Sequence, residues 1–230
     1  MSLSEATDTY SIADSTIVTV VVGKLGEEQK VFHWHKSLIS KHSPILTSTL
    51  AIEDTGNDNL PAIPSAKLPD EEVETFDIIT EWLYKDELDA VDDDDRLTEL
   101  NRALRLYTCA LRYQMEALQN AAMDRLCGDL QSAPEARINP VTWLLRALVD
   151  TDNECPNSAL WDCLCACTGY YLTGKRAGNL ASANRQSPDS VDAFFARGPL
   201  AKKVILIRQG EAPKSFARSK MSISLPRKGI

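Results

Sequence analysis

At 230 residues, with 43% hydrophobic and 25% charged side chains, the chain has the composition of an ordinary globular protein and enough material for one large domain or two small ones. A formal net charge of −8 argues against nucleic acid as the main partner, because binding phosphates needs a basic surface. No segment approaches the roughly 18 uninterrupted apolar residues of a membrane span, and the polar, acidic start MSLSEATDTYSIADS lacks the basic and apolar regions of a secretion signal. The expectation is an intracellular protein, in nucleus or cytoplasm, whose six cysteines are thiols and not disulfides.

In chain order, residues 1–14 read as a disordered lead-in. STIVTVVVG, Ser15 to Gly23, is a β-branched run closed by glycine and reads as a strand. KLGEEQ is a polar turn and KVFHW a second strand, together a hairpin. HKSLISKHS reads as a short helix; Ser43 followed by Pro44 then signals the start of another, PILTSTLAI, with serine as cap and proline in the first helical position. Residues 53–67 are rich in Gly, Asn, Asp and Pro and read as a loop, with Ala66 to Leu68 as a short extended piece beside the hairpin.

Asp70 is placed as an N-cap ahead of Glu71 and Glu72, where negative charge favours a helix start. Val73, Phe76, Ile79 and Leu83 then recur at three- and four-residue steps, with Trp82 widening the apolar face. After a break at KDELDAVDDDDR comes a helical pair, carried by Leu97, Leu100, Leu104, Tyr107 and Leu111, then Met115, Leu118, Ala122 and Leu126. SAPEARINP reads as a linker, and three or so further helices follow in VTWLLRALVD, SALWDCLCACTGYYL and SVDAFFARGPLAKKVILI. Charge is uneven along the chain. From Asp70 to Asp95 there are thirteen acidic residues against Lys85 alone, whereas residues 210–230, read as a disordered tail, carry five basic residues against Glu211. Both read as solvated surface, or more sharply as an acidic face for a basic partner and a localisation signal.

Two clusters invite a chemical reading. All three histidines, His33, His35 and His42, fall within KVFHWHKSLISKHSP, and the two-residue spacing of the first pair puts both on one face of a strand, as a zinc site could use, with His42 or a distant cysteine as third ligand. CLCAC sets Cys163, Cys165 and Cys167 at alternate positions, which suits a metal site in a loop or strand, with Cys155 or Cys127 as a further ligand. The surrounding Leu160, Trp161, Leu164, Tyr170 and Tyr171 point instead to a buried helix, in which cysteine packs as a small hydrophobe and only Cys163 and Cys167 share a face. No nucleophile elbow, phosphate-binding loop, dinucleotide fingerprint or His-Glu-x-x-His occurs, so no enzyme, catalytic residue or cofactor is expected.

The order of elements and four sequence pieces resemble the BTB/POZ domain. The first piece is the apolar strand Val20, Val21, Val22 and Gly23; the second is Phe32, His35 and Lys36, followed by Leu38, Ile39, Ser43 and Pro44. The third is LPDEEVETFDIITEWLYKDEL, with Phe76, Leu83 and Tyr84; the fourth is CALRYQMEALQNAAMDRL. The resemblance is greatest to fungal members and spans about residues 15–130, with no zinc-finger, kelch or MATH region beside it. It implies an α+β fold, a helical cluster flanked by a short three-stranded sheet; the sequence beyond it reads as an all-α extension over residues 131–209 and the basic tail at 210–230. Within it Phe32, His35, Ser43, Pro44, Phe76, Leu83 and Tyr84 are fold-signature positions, so the histidines are read as structural. Trp34 stands where a smaller aliphatic residue is usual, and Ile45 and Leu46 replace an aromatic pair. An acidic residue at the head of the first strand is missing, Asp14 lying too early, so the co-repressor groove of some members is not carried over.

The resemblance further implies a non-catalytic interaction module that forms homo- or hetero-oligomers, with itself or another BTB protein. Lys36, Ser37, Leu38, Ile39 and Ser40 would be the interacting residues, with Leu38 and Ile39 inward or at a partner. The alternative it implies is an adaptor of a cullin-based ubiquitin ligase. A thiol-metal protein built on CLCAC is the remaining reading.

Overall fold

The computed structural model describes residues 15–24, 26, 28–52, 64–89, 96–132, 140–173, 188–198, 200–202 and 204. The expected lead-in at 1–14, the tail at 210–230, most of the 53–67 loop, the aspartate run at 92–95 and nearly all of the linker fall outside the described residues. The chain divides into two compact units, Met1–Val91 with Arg105–Ala122, and Asp92–Leu104 with Met123–Ile230.

The first unit is built on the expected hairpin. Strand β1, Ile17–Val22, pairs antiparallel with β2, Lys30–His35, setting Val18 opposite Trp34 and Val20 opposite Phe32. Alternation sends Val18, Val20, Val22, Phe32 and Trp34 to one face, where all are buried. The turn needs glycine at position 23: its φ is +96°, and a Cβ there would lie 2.1 Å from the Glu28 carbonyl oxygen. The chain then forms helix α1, Lys36–His42, and helix α2, Pro44–Thr49. These carry the crossover that a parallel pairing demands, for β4, Pro64–Leu68, runs parallel to β1 with Thr19 opposite Ser65 and Val22 opposite Leu68.

The α+β class stands, and the sheet holds the three expected strands in the order β2-β1-β4 plus a two-residue edge strand β3, Ala51–Ile52, beside β4. That edge corrects the expected helix over PILTSTLAI, which stops at Thr49 with Leu50 already extended. Thr47, Ser48 and Thr49 each donate a side-chain hydrogen bond back to a carbonyl three or four residues earlier. Such residues support a helix poorly. A second correction concerns Asp70: helix α3, Val73–Lys85, takes Glu72 as its N-cap, while Asp70 sits in a turn whose Glu71 N–H bonds the Leu68 carbonyl.

Helix α3 lays Val73, Phe76, Ile79, Trp82 and Leu83 on the core, as the periodicity predicts. Phe76 stacks on Trp34 at 5.8 Å and meets Tyr113 edge-on, while the Trp34 indole N–H donates to Thr80 Oγ1 at 3.0 Å. Each large apolar side chain so buried contributes roughly 1.5–3 kcal/mol.

Helices α4, Arg96–Arg112, and α5, Glu116–Ser132, form the expected pair and each contribute residues to both units. In α4 burial falls on Leu100, Ala103, Leu106, Tyr107, Cys109 and Ala110, so Leu104 and Leu111 are only half-buried flanks of the stripe. The second unit adds α6, Pro140–Glu154, α7, Ala159–Thr173, and α8, Pro188–Ala196, the three helices expected. Leu144, Leu145, Leu148, Leu160 and Leu164 are completely buried there, and α6 packs on both α7 and α8. The Trp143 indole donates to Asn101 at 2.8 Å, and the Tyr171 hydroxyl donates to the Leu130 carbonyl at 3.1 Å.

Candidate interaction surface

Helix α1 starts where β2 ends, and backbone hydrogen bonding fixes the junction: Lys36 N–H donates to the Thr16 carbonyl and Ser37 N–H to Ser15 Oγ, both at 2.9 Å. Of the residues expected to meet a partner, Leu38 and Ile39 point inward, 8% and 1% exposed. Ser37 is half-buried, and Lys36 and Ser40 are exposed, as is the neighbouring Lys41. What α1 offers solvent is therefore a polar face resting on an apolar base.

The apolar surface lies next to it, at positions the sequence reading did not single out as a site. Ile17 is 42% exposed and Val31 50%, with half-buried Val21 directly opposite Val31 across the hairpin. Because the register sets Ile17 opposite His35, these residues share the outer sheet face. His35 is half-buried; its Nδ1 shares a hydrogen bond of 2.8 Å with the Tyr84 hydroxyl, and the two rings meet edge-on at 5.7 Å. Tyr84, 46% exposed, closes a continuous Ile17–His35–Tyr84 patch beside the start of α1. A signal existed in IVTVVV: valine at every even position fills the core, so Ile17 and Val21 must occupy a face that is polar in most solvent-exposed sheets.

The remaining signature residues are structural. Phe32, Phe76 and Leu83 are buried. Ser43, fully buried, accepts from Leu46 N–H at 3.0 Å and donates to the Tyr113 carbonyl at 2.6 Å, with Pro44 exposed in the first helical position of α2. His42 stands edge-on to Trp82 at 4.7 Å, and burial, with the charge of Lys41, holds its imidazole below the ordinary 6.5. His33 is exposed on β2. Among the described residues no three His, Cys, Asp or Glu side chains converge to hold a metal ion.

One carboxylate organises the other end of this unit. Glu71, with its side chain 9% exposed, accepts from Arg112, from the Tyr113 hydroxyl at 2.9 Å and from the Cys109 thiol at 3.8 Å. Burial, reinforced by the Glu71 charge, pushes both the Cys109 thiol and the Tyr113 phenol well up, so both are protonated donors at neutral pH. Arg105 pairs with Glu72 at 2.9 Å alongside. The exposed side of α3 and its end carries Glu74, Glu81, Asp86, Glu87 and Asp89, all from the acidic run.

The cysteines of CLCAC lie in α7 as expected for a helix, with Cys163 and Cys165 fully buried. Cys163 approaches Cys127 of α5, sulfur to sulfur, at 3.7 Å. No described helix is long and apolar enough to cross a membrane. The family model of the BTB/POZ domain matches residues 12–130. No curated protein matches the chain.

Proposed function

The chain belongs to the BTB/POZ domain family, whose members are protein-interaction modules, and on that premise we propose that it acts by association without catalysis, through the surface formed by α1 and the outer sheet face. The observation that supports this reading is the Ile17–His35–Tyr84 patch: three neighbouring side chains, two of them large apolar groups over 40% exposed, next to the polar rim of Lys36 and Ser40. A desolvated apolar centre within a polar rim is the anatomy of a protein interface. Ser37, Leu38 and Ile39 serve it from beneath by fixing α1 on the core. The partner is a second copy or another BTB protein, in the nucleus or the cytoplasm. Within residues 131–209, helices α6, α7 and α8 are the part that extends the module.

Light scattering on the purified chain tests this. We expect twice the 25.4 kDa chain mass at tens of micromolar, falling to one chain when Ile17→Asp and Tyr84→Asp are combined. A strict monomer at that concentration overturns self-association, and a dimer indifferent to both substitutions overturns the surface.

A second reading, an adaptor of a cullin-based ubiquitin ligase, is favoured by the acidic residues Glu74, Glu81, Asp86 and Glu87 exposed on and after α3, which suit a basic partner face. Co-elution with a cullin amino-terminal domain in a two-to-two mass supports it, and failure to bind at any reachable concentration removes it.

A further inference from the structure

Cys127 on α5 and Cys163 on α7 are 36 residues apart in sequence, yet their sulfurs lie 3.7 Å from each other. The helices that carry them are held in register by the Tyr171 hydroxyl bonded to the Leu130 carbonyl at 3.1 Å. The two thiols differ in setting. Cys163 is completely buried, whereas Cys127 is only half-buried. The hydrogen bond between them is asymmetric in effect: it lowers the Cys127 pKa and, together with a bond to Cys167 and burial, raises that of Cys163 well above the ordinary thiol value. Cys127, the less enclosed of the two, incurs the smaller desolvation cost on ionising and is the thiol lowered, while the enclosed Cys163 stays protonated within contact distance.

We propose that Cys127 and Cys163 form a hydroperoxide-responsive pair that closes into a disulfide joining α5 to α7. The Cys127 thiolate attacks one oxygen of hydrogen peroxide; the S–O bond forms, the O–O bond breaks, and the departing hydroxide takes a proton to become water. The sulfur is oxidised by two electrons to a sulfenic acid and the peroxide is reduced. The Cys163 sulfur then attacks the sulfenic sulfur. The S–S bond forms, the S–O bond breaks, and the hydroxide leaves with the Cys163 proton as a second water. The sulfurs must close from 3.7 Å to the disulfide bond length of about 2 Å. Cys167, one turn further along α7, is the competing thiol.

The full-length chain, reduced and freed of reductant, is exposed to hydrogen peroxide, alkylated, digested without reduction and mapped by mass spectrometry. A peptide pair linked through Cys127 and Cys163 is the expected product, absent in Cys127→Ser. In Cys163→Ala, dimedone is expected to trap a sulfenic acid at Cys127. A Cys163–Cys167 bond, a disulfide between two chains through Cys127, or oxidation confined to other cysteines overturns the proposal. Should Cys163→Ala fail to fold, the wild-type map and Cys127→Ser, at the less buried position, still decide it.

Discussion

At the residue scale the hydroxyl of Ser43 joins two helix ends, accepting from the first turn of α2 and donating to the carbonyl of Tyr113 at the close of α4. Ser43→Ala removes a cap worth about 1 kcal/mol and strands a buried carbonyl at a cost of about 1–3 kcal/mol. A loss of roughly 2–3 kcal/mol in chemical denaturation is expected, with Ser43→Thr recovering part of it. The capping half of this arrangement is legible in the pair Ser43-Pro44. The other half is not, because its acceptor lies 70 residues away. His42 gives a pH dependence at the same scale. Its folded pKa is depressed, so its contribution is complete above about pH 6.5 and is lost as pH falls through the folded value. Between pH 7.5 and 5 the wild-type midpoint should therefore fall further than that of His42→Gln, measured by denaturation followed through tryptophan fluorescence.

At the element scale, the turn between α4 and α5 holds a residue in an unfavourable conformation. Gln114 has φ +54°, with its N–H bonded to the Leu111 carbonyl and that of Met115 bonded to the Ala110 carbonyl, the double closure usual where glycine ends a helix. Gln114→Gly relieves the left-handed strain and gives back part of the gain through a freer unfolded chain. A net increase of roughly 0.5 kcal/mol in unfolding free energy is expected, and a decrease would show that the Gln114 side chain supports the turn. The elements themselves were largely legible, since periods of two and of three to four residues identify β1, β2, α3 and the α4–α5 pair. Strand β3 was not: its two residues continue the composition of α2, and only pairing with Pro64 and Ser65 separates them. On the outer face of the sheet, Ile17 and Val21 follow from the alternation within β1, whereas their pairing with His35 and Val31 needed the register.

At the scale of the whole molecule, reading along the chain puts a boundary after residue 130, where composition turns to linker. Contact in space follows a different logic, taking Asp92–Leu104 into one unit and Arg105–Ala122 into the other. No change of composition marks either of those transitions, which fall inside continuous helices. A chain cut after residue 130 keeps Asn101, Leu126 and the Leu130 carbonyl but loses Trp143, Tyr171 and the leucines of α6 and α7 that complete the second unit. Such a fragment should bind a hydrophobic dye and unfold at a lower temperature than the full chain. Equal thermal midpoints and no dye binding would show that residues 1–130 suffice.

The same interleaving bears on inheritance. A recombination event at the junction of codons 104 and 105 would separate Met1–Val91 from the Arg105–Ala122 segment that completes it, and would leave Asp92–Leu104 apart from Met123–Ile230. Both products would begin as broken folds. The two units are therefore expected to pass between lineages together, and any rearranged descendant that keeps the first must bring its own equivalent of residues 105–122.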